Sequence, residues 1–218
     1  MKTLISYKGD KNLKEKFVKE IEKHRKADAI EQGTYGHQNG TWKGCAVACS
    51  LRSLAIIDGE DLVTAYNDHT LYETKLGIPE WIARLEDTLF EGLPVKDAKK
   101  WPEQFSKAIP VGINLEPIKW KFCAYLMKEN IDRVLKLNIT DELKKQVVDA
   151  IRGVLYVHEN AIASGTWDES AAWSARSAAW SARSEAWSAA ESAAESAAWS
   201  AAYVKYSKYL LKLLKGAK

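Results

Sequence analysis

Apolar side chains spaced three and four residues apart recur along most of the chain, the interval that gathers them on one face of a helix. After residues 3–7, a short strand or extended lead-in, Leu13, Phe17 and Ile21 alternate with lysines and glutamates. They predict a helix from about Asn12 to about Ile30, stopped near Gly33. A second helix is expected from about Cys45 to Ile57, ended by Asp58-Gly59, with Cys45, Cys49, Arg52 and Ile56 on one side. Residues 58–76 read as a polar connection of partly helical character. Pro79 then opens a helix, since proline is favoured at the first helical position. Ile82, Leu85 and Leu89 point inward from it, and Gly92 and Pro94 end it. Further helices start at Trp101-Pro102 (Phe105 and Ile109 inward), at Pro117 (Ile118, Phe122, Leu126) and after Thr140 (Leu143, Val147, Ile151, Val154). Thr140 suits an N-cap. His158 continues that last stripe and reads as a buried, satisfied histidine.

From residue 166 the pattern becomes repetitive. Three heptads carry Trp173, Trp180 and Trp187 among alanines and serines, and Thr166 with Glu169 matches a capping box. Alanine-rich sequence without proline or glycine is strongly helical, and a seven-residue repeat drifts by only about 20° per turn of the pattern. An unbroken helix from Thr166 to Leu214 would measure roughly 70 Å, so it must bend, project or pack along a partner. Its end sets Tyr203, Tyr206, Leu210 and Leu213 against Lys205, Lys208, Lys212 and Lys215, which fits a docked terminal helix whose lysines face the negative end of the dipole. The fold expected is all-α: a multi-helix domain over residues 1–160, then a long Ala/Ser/Trp helix with a basic amphipathic end over 161–218. Self-association into a homo-oligomer through residues 166–214 is one use of such a stripe.

The chemistry concentrates in Gly36-His37-Gln38-Asn39-Gly40-Thr41-Trp42-Lys43-Gly44-Cys45, immediately before an apolar helix. Glycines, a lysine and a helix N-terminus together favour an anionic ligand. Lys43, Gly44, Cys45, Trp42 and Asn39 are the candidate contacts, Trp42 as a stacking surface or as a packed loop side chain. The spacing is not that of a nucleotide P-loop, which needs Gly-Lys-Ser/Thr. A second reading makes Cys45 a nucleophile whose thiolate is favoured by Lys43 and the helix dipole. His37 or His69 would then be the base, Asn39 or Gln38 an oxyanion donor, and Glu73 or Asp68 the orienting group. A zinc site of Cys45, Cys49, His37 and His69 is disfavoured, because structural zinc normally takes closer pairs on turns. Farther along, Glu80, Arg84, Asp87 and Glu91 form either a solvated charge ladder or, through Arg84 and Glu86, part of the Lys43 pocket. Near the first helix end, His24 and Asp28 share a face and read as a surface pair, unless one reaches the following loop.

Composition narrows these readings. With 218 residues, 46% hydrophobic and 28% charged, and a net charge of +3, the chain has the makings of a sizeable core without the basic excess of a nucleic-acid binder. No window is apolar enough to span a bilayer, and the N-terminus lacks a signal-peptide pattern. Three cysteines do not make a disulfide framework, and a reducing cytoplasm is expected. No cofactor and no metal are expected.

The chain also resembles a family of uncharacterised bacterial and phage proteins. The resemblance rests on His24-Arg25-Lys26-Ala27-Asp28-Ala29-Ile30-Glu31-Gln32-Gly33-Thr34-Tyr35, on Lys43-Gly44-Cys45-Ala46-Val47-Ala48-Cys49, and on His69 with Leu76-Gly77-Ile78-Pro79. It continues through residues 83–94, Trp101-Pro102 and Ala108-Ile109-Pro110-Val111-Gly112 into the Ala/Trp-rich tail. Family members often carry glycine where Ala48 stands. The resemblance implies no activity. It places His24, Asp28, Lys43, Cys45, His69, Arg84, Glu86, Asp87 and Glu91 in shared motifs and implies a pocket assembled between helices. The leading expectation is therefore a small anionic, nucleotide-like ligand at Lys43 and the Cys45 helix, with His69, Arg84 and Glu86 contributing. For a phage protein, sequestration of a signalling nucleotide would follow. The alternatives are a cysteine-dependent hydrolase or transferase and a self-associating structural protein.

Overall fold

Asp10 begins the first long helix: its carboxylate accepts the Asn12 N–H at 2.7 Å, and α1 runs Lys11–Lys26 with Phe17, Ile21 and His24 buried. The computed structural model describes residues 3–39, 41–60, 67–175, 177 and 195–218. By internal contacts the chain forms two units, one of Met1–Glu116 with Ala197–Lys218 and the other of Pro117–Ser196. The architecture is all-α, as the apolar spacing predicts. The division falls at 116 and 196 rather than at 160, because the C-terminal helix belongs with the first unit.

In the first unit, Tyr7 leads into α1 from a short turn, Ser6–Gly9, and is fully buried with its hydroxyl donating to Ser106 O at 2.7 Å. Helix α1 stops at Lys26, short of the expected Ile30. Asp28 takes φ 51° and the Ala29 N–H returns to His24 O. The reversal delivers Ile30 to a parallel bridge with Gly44. Between these anchors lies an antiparallel hairpin, β1 (His37–Asn39) with β2 (Thr41–Lys43), pairing Gln38 with Trp42.

Helix α2 (Ala46–Asp58) follows, with Cys45 as its N-cap and Gly59, at φ 68°, as its C-cap. It is buried over most of its circumference, Ala46 to Leu51 and Ser53 to Ala55, and packs against α1, α3 (Glu80–Gly92) and α5 (Trp101–Ala108). Ile56, on the Cys45–Cys49–Arg52 side, is half exposed. A five-residue π-turn, Tyr72–Leu76, ends at Gly77, where a β-carbon would overlap the carbonyl of Ile5.

Pro79 is the N-cap of α3 rather than its first helical residue, and Glu73 supplies the cap by accepting the Glu80 N–H at 2.9 Å. Ile82 and Leu89 are inward as expected, but Glu86 and not Leu85 completes the buried face. The short α4 (Val95–Ala98) leads to α5. Helix α9 (Glu195–Lys215) docks through Tyr206, Leu210 and Leu214, all buried, and its lysines stay exposed. Each such apolar side chain contributes about 1.5–3 kcal/mol when fully buried.

In the second unit, α6 (Glu116–Val134) buries Ile118, Phe122 and Ala124, with Leu126 half-buried. Helix α7 (Asp141–Ser164) starts at the expected cap, Thr140 accepting the Leu143 N–H at 3.3 Å. His158 is buried with its ring 5.1 Å from that of Trp167. A last helix, α8, described over 169–175, is capped by Asp168, whose carboxylate accepts the Ala171 N–H, and not by Thr166. Trp173 on it is 74% exposed. Trp180, Trp187 and most of the heptads lie outside the described residues. Among the described residues no helix is long and apolar enough to cross a membrane.

Candidate functional site

The segment from Ala29 to Cys45 is closed at its base by backbone hydrogen bonds. Gly44 N–H donates to Ala29 O, Glu31 N–H to Gly44 O and Cys45 N–H to Thr34 O, each at 2.9 Å. Strand alternation then sends neighbouring side chains to opposite sides. Trp42 turns inward and is 7% exposed, its ring 5.2 Å from His24 and 4.6 Å from the Arg52 guanidinium. The same ring lies so close to Gly44 that a β-carbon there would strike it. Trp42 is therefore a packed side chain and no free stacking surface. His24 does reach the loop, whereas Asp28 pairs with Lys99 at 2.5 Å.

Lys43 faces elsewhere. With Lys99, Gln32 and the buried side chains of Ile30, Phe90 and Ala98 it lines a cavity of about 280 Å³. Gln32 is fixed there because its amide donates to the carbonyls of Phe90 (2.7 Å), Glu91 (3.2 Å) and Leu93 (2.9 Å), closing the open C-terminal end of α3. The sequence placed Lys43 beside Cys45; the structure separates them.

Cys45 instead meets acids. Its sulfur and a carboxylate oxygen from each of Asp87 and Glu91 lie within 4.8 Å of one another. Asp87 and Glu91 are one turn apart on α3, the spacing that puts both on one face. Glu91 is oriented by the Gly33 N–H at 2.9 Å. His69 approaches from the π-turn side, its Nε2 3.4 Å from Asp87 Oδ2 but not aligned for a hydrogen bond. Its backbone is set by Asp68, which accepts from both the N–H and the hydroxyl of Thr70. Asp68 and Glu73 thus cap local turns, and the carboxylate beside His69 is Asp87. The Tyr35 hydroxyl stands near this cluster, its pKa raised chiefly by the charge of Asp87.

These surroundings differ from those that two of the expectations need. Burial, with Asp87 and Glu91 adding, pushes the Cys45 thiol up to about 12, opposite in direction to the lowering expected from Lys43 and the helix dipole. One of the first free N–H groups of α2 is also taken, since Cys45 Sγ accepts from Ala48 N–H at 3.4 Å, and two carboxylates would repel an anion there. Cys45 thus caps that end of α2, and Gly44 packs against Trp42 beside it.

Arg84 is exposed and bound to Glu80 at 2.5 Å, the charge-ladder reading. Glu86 is 1% exposed and accepts from Tyr72 Oη at 2.7 Å; burial raises its pKa to about 8, which keeps it protonated in the core. Neither lines the Lys43 cavity. Cys49 turns away from Cys45 toward the carbonyls of Gly44 and Ala29, so the Cys45–Cys49 zinc arrangement is not formed. The side chains of His37 and Asn39 lie outside the described residues.

No protein-family model, curated protein or solved structure matches the chain.

Proposed function

We propose that the chain binds a small molecule carrying an anionic group in the cavity beside Lys43. The observation that carries this reading is the convergence of Lys43 and Lys99 on one cavity with a buried apolar wall of Ile30, Phe90 and Ala98. Few convergent polar groups on an apolar surface are the usual make-up of a ligand pocket, and about 280 Å³ is just below the usual size range, which suits a small ligand. Asp28 balances the lysines in the free protein: its carboxyl is held low by the hydrogen bond and charge of Lys99, and Lys43 adds to this. That carboxylate is exposed, and an exposed pair of this kind contributes little to stability. A ligand phosphate or carboxylate can take its place on Lys99 and meet Lys43 as well, while the apolar wall accepts the flat or aliphatic remainder.

The test is mass spectrometry of small molecules released by denaturing purified wild-type protein and the folded Lys43→Ala and Lys99→Ala variants. A co-purifying anionic species should be present on wild type and depleted at least about tenfold from each variant, which corresponds to loss of one charge-assisted contact of about 1.4 kcal/mol or more. The same species at equal occupancy on Lys43→Ala would refute the assignment.

A further inference from the structure

We propose that Cys45, His69, Asp87 and Glu91 form a site for a zinc-class divalent cation, separate from the Lys43 cavity. The thiol and the two carboxylates converge within 4.8 Å. His69 comes from another segment and brings Nε2 to 3.4 Å from Asp87 Oδ2. A tetrahedral ion with bonds of roughly 2.0–2.3 Å holds its ligand atoms about 3.3–3.8 Å apart. The His69–Asp87 separation already meets this, the Cys45, Asp87 and Glu91 atoms need to close by no more than about 1–1.5 Å, and the His69 ring, which lies outside that 4.8 Å group, must swing in to join them.

His69 also supplies an observation independent of the acidic pair. Its side chain is only 8% exposed, it is aimed at Asp87, and Nε2 has no hydrogen-bond partner. Asp87 Oδ1 is likewise buried without one. Unpaired buried polar atoms are costly, and one cation would satisfy both. Among the described residues no lysine or arginine forms an ion pair with Asp87 or Glu91, because Arg84 is engaged by Glu80.

The donor set selects the metal. Sulfur and imidazole ligands favour zinc and its late first-row neighbours, whereas magnesium and calcium prefer all-oxygen sites. On binding, the Cys45 S–H proton leaves to solvent as the S–metal bond forms, and His69 coordinates as the neutral ring. Glu91 is the exposed member, so the ion has a route in and the site keeps a solvent side.

Titration of metal-stripped full-length protein with Co²⁺, followed by Zn²⁺, tests this. One equivalent of Co²⁺ should bind with a thiolate-to-cobalt charge-transfer band that Zn²⁺ abolishes. Cys45→Ser, which keeps a capping hydroxyl, should remove the band. His69→Gln, Asp87→Asn and the exposed Glu91→Gln should each weaken binding at least about tenfold. Cys123→Ser and Lys43→Ala should leave stoichiometry and band unchanged. Failure of wild type to bind one equivalent, a band that survives Cys45→Ser, or unaltered affinity in folded Glu91→Gln and His69→Gln would overturn the site.

Discussion

At the scale of single residues, His24 shows how burial becomes a pH response. It packs on Trp42, and burial, with the Arg52 charge and then Lys23 acting in the same direction against Glu20, holds its pKa down to about 4 from 6.5. Below pH 6.5 the unfolded chain takes up a proton that the folded chain refuses. The stabilisation is therefore complete above that pH and is lost as pH falls toward 4. Urea unfolding should show a loss of about 2 kcal/mol from this group between pH 7 and pH 5, and His24→Gln should remove that part of the pH dependence. A pH slope unchanged in the variant would assign it to other groups. The sequence made Cys45 and His69 visible as reactive types, and Asp87 and Glu91 as neighbours on one helix face. It could not show that Lys43 and Cys45, two positions apart, serve different surroundings. Continued strand alternation would put both on one side; the strand ends at Lys43 and Gly44 closes against Ala29, so Cys45 starts α2 instead.

At the scale of elements, Gly92 and Gly153 make opposite predictions. A β-carbon on Gly92 would run into the ring of Tyr203 on α9, while Gly153 within α7 faces open space. Gly92→Ala should lower stability by about 1–3 kcal/mol through overpacking. Gly153→Ala should raise it by up to about 1 kcal/mol from helix propensity alone. Chemical denaturation of the two variants checks both signs. Helices announced by caps and four-residue spacing were readable: Thr140 starts α7 and Asp58-Gly59 stops α2. The hairpin has a single sequence signal, Asn39-Gly40, and its flanks are polar and too short to show alternation. Glu86 escaped because periodicity counts apolar residues, and the Tyr72 hydroxyl that makes its burial tolerable comes from another segment.

At the scale of the molecule, residues 197–218 complete a unit that begins about two hundred positions earlier. The Trp heptads suggested a tail with its own role, and composition alone cannot say which distant surface a terminal amphipathic face will cover. Tyr203 meets Gly92 across more than about a hundred intervening positions, with all of the second unit in between. Closing so long a loop has an entropic cost before any contact rewards it, whereas α1, α2, α3 and α5 pack at shorter separations. Docking of α9 should accordingly follow the rate-limiting step of folding. Leu210→Ala, which removes about 2–5 kcal/mol of packing, should raise the unfolding rate by roughly thirtyfold or more and leave the refolding rate near wild type. A chevron in which the refolding arm moves instead would place α9 in the nucleus. The buried face of α9 thus acts as a clasp in time: it sets how long the first unit remains closed once formed, and hardly affects how quickly it forms.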